Sequence, residues 1–160
     1  MNISIITFTE NGTKLAEKIR QAFVGTKMEE AKKLGLSLSD WTRQQFAEKN
    51  AIVVIGACGI AVRMIAPFVS DKLSDSPVVV ADEAGTFVIP LLSGHVGGAN
   101  ELAEQIAGQI GGIPVITTAT DVNHTFSVDL FAKNVVFPFI TGRGSQKFQP
   151  KYWMEKRRIL

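Results

Sequence analysis

The chain is poor in the residues that staple or ligate. It has one cysteine, Cys58, so no disulfide can form within it, and a solitary thiol suits a reducing cytoplasm. His95 and His124 are the only histidines, and with one cysteine they give no zinc-type ligand spacing. No apolar run approaches the ~20 residues that span a bilayer. The N-terminus, Met-Asn-Ile-Ser-Ile-Ile-Thr-Phe, lacks the basic segment and cleavage pattern of a secretory signal. These absences predict a cytoplasmic protein with no membrane partner.

What is present is enough for a core. Apolar residues make up 46% of 160 and charged residues 20%, which excludes a disordered, collagen-like or disulfide-scaffold chain and bounds the protein to one ordinary domain. The net charge of +2 conceals a split. Residues 141–160 carry Arg143, Lys147, Lys151, Lys156, Arg157 and Arg158 against Glu155 alone, a local charge of +5, whereas residues 1–140 stand at −3. Basic tails bind nucleic acid or anionic surfaces, but this one is weakly patterned and its only aromatics between 150 and 160 are Tyr152 and Trp153. It reads as a solvated end, and no nucleic-acid partner is expected.

Apolar periodicity divides the rest into alternating elements. Asn2–Phe8 reads as a buried strand, and Thr9-Glu-Asn-Gly as the turn that caps a helix with Leu15, Ala16, Ile19, Ala22 and Phe23 on one face. Residues 25–39 predict a loop or short strand. Ser39 or Asp40 then caps a short helix bearing Trp41 and Phe46. Ala51–Gly56, Val78–Ala81, Phe87–Leu92 and Ile113–Thr117 read as strands; Gly59–Phe68, Gly97–Ile110 and Phe126–Lys133 read as helices. The alternation predicts an α/β fold, a mostly parallel open sheet with helices on both faces. Such sheets bind ligands outside the carboxyl ends of their strands, and the chemically loaded loops are expected to converge there.

Three of those loops combine glycine with reactive groups. Gly56-Ala-Cys-Gly-Ile-Ala-Val-Arg63 lets backbone approach a ligand near Gly59 and supplies Arg63 as a clamp for a carboxylate. It is neither a Walker loop nor a dinucleotide fingerprint. Leu92-Ser-Gly-His-Val-Gly-Gly-Ala-Asn100 sets His95 among small residues ahead of a helix, where an imidazole can serve as general acid or base. Amides near Gly97 and Gly98 can receive an oxyanion, and Asn100 either donates to a ligand or caps the helix. Ser93 lacks the setting of a nucleophile elbow. Ile116-Thr-Thr-Ala-Thr-Asp121 adds Thr117, Thr118 and a carboxylate, Asp121, that can orient His95. Asp82-Glu83 is a fourth acidic candidate, equally readable as a solvated turn.

Taken together, Gly59-Ile-Ala-Val-Arg63, Pro77-Val-Val-Val-Ala-Asp-Glu83, Ser93-Gly-His-Val-Gly-Gly-Ala-Asn-Glu-Leu-Ala103 and Val115-Ile-Thr-Thr-Ala-Thr-Asp121 resemble the CbiG family over about residues 1–133. The resemblance implies a cobalt-precorrin-5A hydrolase of anaerobic cobalamin biosynthesis. Such enzymes open the ring A lactone of a cobalt-corrinoid and release acetaldehyde. The family does not itself assign the roles; from the residues, His95 is expected to activate water for attack on the lactone carbonyl, with Asp121 orienting it. Gly59, Arg63, Glu83, Ser93, Gly97, Gly98, Asn100, Thr117 and Thr118 become substrate contacts. No resident cofactor or protein metal site is implied, because the cobalt arrives inside the substrate.

Family members carry a second domain after this one. Residues 134–160, after the 1–133 domain, match nothing in the family pattern and read as the end of a truncated or frame-shifted longer gene, or as a split-gene form. A separate C-terminal CbiG-type domain is therefore an expected partner. The alternative is a corrinoid-binding module or inactive fragment. Without its partner such a domain would expose apolar surface and self-associate as a homo-oligomer.

Overall fold

The computed structural model describes residues 2–118. The predicted helix over 126–133, the domain boundary at 133, the basic tail, Asp121 and His124 lie outside the described residues.

Strand β1 (Ile3–Thr7) leads through α1 (Glu10–Ala22) to β2 (Lys27–Glu30), and a 3₁₀ turn (Ala31–Lys33) precedes α2 (Leu38–Ala47). Then follow β3 (Ala51–Ile55), α3 (Cys58–Ile65), β4 (Val78–Ala81), β5 (Phe87–Leu92), α4 (Ala99–Ile110) and the two-residue β6 (Ile113–Pro114). The strands form one sheet in the order β2-β1-β3-β4-β5-β6. Because β2 and β3 flank β1, the chain reverses its direction of growth across the sheet at β1 and β3, which makes their carboxyl ends the switch point.

Alternation along the buried strands builds two cores. Ile3, Ile5, Val53, Ile55 and Val79 face α1 and α4, where Leu15, Ile19, Leu102 and Ile106 meet them. Ile6, Ile52, Val54, Val78 and Val80 face the other way, against Trp41 of α2 and Ala61, Met64 and Ile65 of α3. This is the predicted helix–sheet–helix sandwich. Cutting one of the fully buried isoleucines back to alanine costs about 2–5 kcal/mol.

Local chemistry moves several predicted boundaries. Thr9 caps α1 by accepting from Gly12 N at 3.0 Å, which draws Glu10 and Asn11 into the first turn. Ser37, rather than Ser39 or Asp40, caps α2, its hydroxyl accepting from Asp40 N at 3.0 Å. Residues 27–30 do form a strand, the parallel edge beside β1.

The larger difference concerns direction. β2, β1, β3 and β4 are parallel, but β5 runs antiparallel to β4, with Val80 opposite Ile89 and Val78 opposite Leu92. The five residues between β4 and β5 form a hairpin-length link too short for a helical crossover, so the strand must return. Pro90 has no N–H for the ladder, and the register shifts beside its partner Val79. β6 lies parallel to β5 and so also runs against the first four strands.

Candidate active site

The reversal of β5 separates the sequence-nominated residues into two groups. At the carboxyl edge of the parallel strands lie Gly59, Arg63 and Glu83. The Ser93–Asn100 loop, Thr117 and Thr118 follow β5 and β6 and therefore emerge at the amino edge. The two edges stand roughly 16 Å apart, the length of a five-residue strand at about 3.3 Å per residue. Convergence of all the loops at the carboxyl ends is thus corrected: the loop after β5 opens beside the start of β4, where Leu92 faces Val78.

At the carboxyl edge, the nominated groups are engaged with their own surroundings. Arg63 is exposed in the last turn of α3, and its Nη1 donates to the carbonyl of Gly59 at 3.2 Å. Glu83 accepts from the Thr9 hydroxyl at 2.7 Å and so buttresses the α1 cap. Asp82 holds the β4–β5 turn, accepting from Ala84 N at 2.9 Å and Phe87 N at 2.5 Å. Burial works to raise the Asp82 carboxyl, but hydrogen bonds from the Phe87, Thr86 and Ala84 backbone outweigh it and hold it below the usual range. Beside these groups a cleft of about 460 Å³ opens over β1, lined by Thr7, Phe8, Thr13, Lys14 and Lys32 among others.

The amino-edge loop is built differently. Ser93 enters it with φ +54°, a left-handed conformation that costs a non-glycine residue about 1–2 kcal/mol. Its hydroxyl donates to the Asp75 carbonyl at 3.1 Å. Its own carbonyl accepts from Ala99 N at 3.2 Å, and that of Gly94 accepts from Asn100 N at 2.9 Å. These bonds fold residues 93–98 into a compact turn against α4, which Gly98 caps at φ +90°. His95 is half-buried within it.

Glycine is required here on packing grounds. A side chain at Gly94 would come within 2.5 Å of Asn100 Oδ1, and one at Gly97 within 2.5 Å of the Ser93 carbonyl oxygen. Asn100 Nδ2 donates to Thr118 Oγ1 at 3.1 Å and binds the loop to the segment leaving β6. Thr117, its neighbour, is exposed. Of the four amides that begin α4, those of Ala99 and Asn100 are occupied by the loop. Gly97 and Gly98 donate to no backbone or side-chain acceptor among the described residues. The turn therefore carries one imidazole and two backbone donors within four residues, group types that can add water to a carbonyl carbon. Among the described residues no group of three histidine, cysteine or acidic side chains is arranged to hold a metal ion.

Comparison with known proteins bears on this arrangement. The family model "Cobalamin synthesis G N-terminal" matches residues 40–121, just over half of the chain. The chain belongs to this CbiG family. That match takes in both edges of the sheet and the whole Ser93–Asn100 loop. A cobalt-precorrin-5A hydrolase of Salmonella typhimurium is 44% identical over 138 residues, covering 82% of this chain and 39% of that protein. One from Priestia megaterium is 50% identical over 88 residues, covering 55% of this chain and 24% of that protein. The chain thus spans less than half the length of these CbiG relatives. A solved cobalamin biosynthesis protein G homologue from Sulfolobus solfataricus shares the fold, with a TM-score of 0.60 at 23% identity over 91% of this chain and 44% of its own. No helix among the described residues is long and apolar enough to cross a membrane.

Sequence reading passed over one participant, Asp75. It sits before β4 in a stretch without glycine or histidine, and the residue is 8% exposed. The available signal was an acid followed by Ser-Pro at a strand entrance, a pattern that favours side-chain bonds to nearby backbone.

Proposed function

We propose that this chain is the N-terminal portion of a cobalt-precorrin-5A hydrolase, acting on a cobalt-corrinoid whose ring A lactone docks at the amino-edge loop. One observation carries the reading above the others. The Ser93–Asn100 turn holds a half-buried histidine beside two glycine amides with no acceptor among the described residues. Membership of the CbiG family and the identity to named hydrolases support it.

In this reading His95 takes a proton from water as the water oxygen bonds to the lactone carbonyl carbon. The Gly97 and Gly98 amides receive the oxyanion of the tetrahedral intermediate. Collapse breaks the lactone C–O bond and the imidazolium returns the proton to the departing oxygen, leaving an acid that ionises to a carboxylate. Loss of the new hydroxyl proton then breaks that carbon's C–C bond to the macrocycle, whose carbon keeps the electron pair and takes up a proton. The two-carbon fragment leaves as acetaldehyde. Asp121 orients the imidazole. Asn100 and Thr118 bond one another and so shape the pocket, while Ser93 fixes its entrance. Gly59, Arg63 and Glu83, at the far edge, take no part in the lactone step. Catalysis needs the C-terminal portion that the longer relatives have, because a macrocycle of this size extends beyond one loop. The cobalt belongs to the substrate.

The test is anaerobic incubation of cobalt-precorrin-5A with the 160-residue chain, alone and with the C-terminal portion of a relative, following acetaldehyde. Release that requires His95 supports the proposal. Binding without release in either mixture would favour a corrinoid-holding module instead.

A further inference from the structure

Asp75 is buried, yet among the described residues no lysine or arginine pairs with it. Among the described residues, the donors to its carboxylate come from one residue. Ser70 N lies 3.1 Å from both Oδ1 and Oδ2, and Ser70 Oγ donates to Oδ1 at 3.1 Å. The residues between are cross-tied: Ser74 N and Asp75 N donate to the Asp71 carbonyl at 3.0 and 2.9 Å, and Leu73 N donates to Asp71 Oδ1 at 2.8 Å. Lys49 Nζ reaches the Ser74 carbonyl at 2.5 Å. The connection from α3 to β4 is thereby a closed ring of hydrogen bonds, not a slack loop.

Besides Lys49, that ring is tied to the loop that follows β5. The carbonyl of Asp75 accepts the hydroxyl of Ser93 at 3.1 Å, across eighteen residues of chain. Ser93 is the residue held at φ +54°, and its own carbonyl receives Ala99 N. A strained conformation persists only where its surroundings over-determine it. Here the hydroxyl is fixed from one side and the carbonyl from the other, and His95 lies two residues further on.

We infer that Asp75 is a positioning residue: by closing the 70–75 ring on Ser70, it holds its own carbonyl where it fixes Ser93 and thereby the imidazole of His95. The inference rests on the reading of the Ser93–Asn100 loop as the lactone site. Its test is made by NMR without turnover, so the two can fail separately.

The full chain is compared with Asp75→Asn, Asp75→Ala and Ser93→Ala. In Asp75→Ala the His95 ring resonances shift, and amide exchange at Ala99 and Asn100 accelerates about tenfold, the scale of one lost hydrogen bond. Exchange at Ile5 and Val53 in the sheet stays as in the unaltered chain. Asp75→Asn, which keeps an acceptor for Ser70 N, restores most of the His95 signature. Ser93→Ala removes only the bond from the ring to the loop and gives the same loop signature without touching the ring, so it decides the matter if Asp75→Ala does not fold. Unchanged His95 resonances in Ser93→Ala, or equal acceleration in loop and sheet with no rescue by asparagine, would overturn the inference.

Discussion

Asn100 Nδ2 donates to Thr118 Oγ1 at 3.1 Å, so two residues expected from sequence to contact a ligand bond each other. The bond joins the first turn of α4 to the segment beyond β6 and closes one wall of the His95 turn. Replacing Thr118 by valine keeps the shape and deletes the acceptor. The expected loss is about 1 kcal/mol, read as a lower urea midpoint at unchanged slope. An unchanged midpoint would mean that the bond contributes nothing.

Gly97 is fixed by crowding. Alanine there would push its methyl group against the Ser93 carbonyl, and backbone cannot swing aside as a long side chain can. Gly97→Ala should cost about 1–3 kcal/mol by overpacking and displace the turn. Gly108 on α4 faces open space, so Gly108→Ala in the same helix should stabilise by about 0.5–1 kcal/mol through helix propensity. Thermal unfolding of the two variants checks opposite signs within one element.

Thr9 works in two directions, accepting from Gly12 N and donating to Glu83. Thr9→Ala should lower stability by about 1 kcal/mol, the ordinary worth of an N-cap, while Thr9→Ser restores most of it. Glu83→Gln still presents an acceptor and should stay within about 0.5 kcal/mol. A large loss in Glu83→Gln would show that its charge, not its hydrogen bond, matters.

Asp82 makes the fold acid-sensitive. Its folded carboxyl is held below the usual range, because backbone hydrogen bonds outweigh the burial that opposes them. The folded state therefore favours the ionised form. Its contribution is complete above the unfolded value of about 3.9 and drains away as pH falls through the lower folded value. Urea midpoints of the unaltered chain and Asp82→Asn should differ most above about pH 5 and draw together as pH falls below about 3.9. A difference constant with pH would contradict this.

How much of this was legible in sequence depends on range. Ile5, Val53 and Val79 lie in β-branched runs, so the buried strands declared themselves, as did the stripe of Leu102, Ala103 and Ile106 along α4. Direction did not. Phe87–Leu92 reads as a strand whichever way it runs, and only the short link after Ala81 betrays the reversal that carries His95 to the opposite edge. Ser37 was passed over as a cap because Ser39 and Asp40 have the same chemistry nearby. Asp75 was silent because its role comes from Ser93, eighteen residues away, and such pairings leave no periodic trace. Fragment recognition succeeded for a different reason: the Ser93–Asn100 turn needs glycine at 94 and 97 on packing grounds, which leaves a dense local pattern.

Lactone opening is proposed to occur at the amino-edge turn and not at the carboxyl edge. The decisive measurement is acetaldehyde release from cobalt-precorrin-5A by the chain completed with a C-terminal portion, comparing His95→Gln with Arg63→Gln. His95→Gln should lose about 100-fold or more, the scale of a removed general base, and Arg63→Gln should release acetaldehyde near-normally. Full activity in His95→Gln with collapse in Arg63→Gln would move the chemistry to the other end of the sheet.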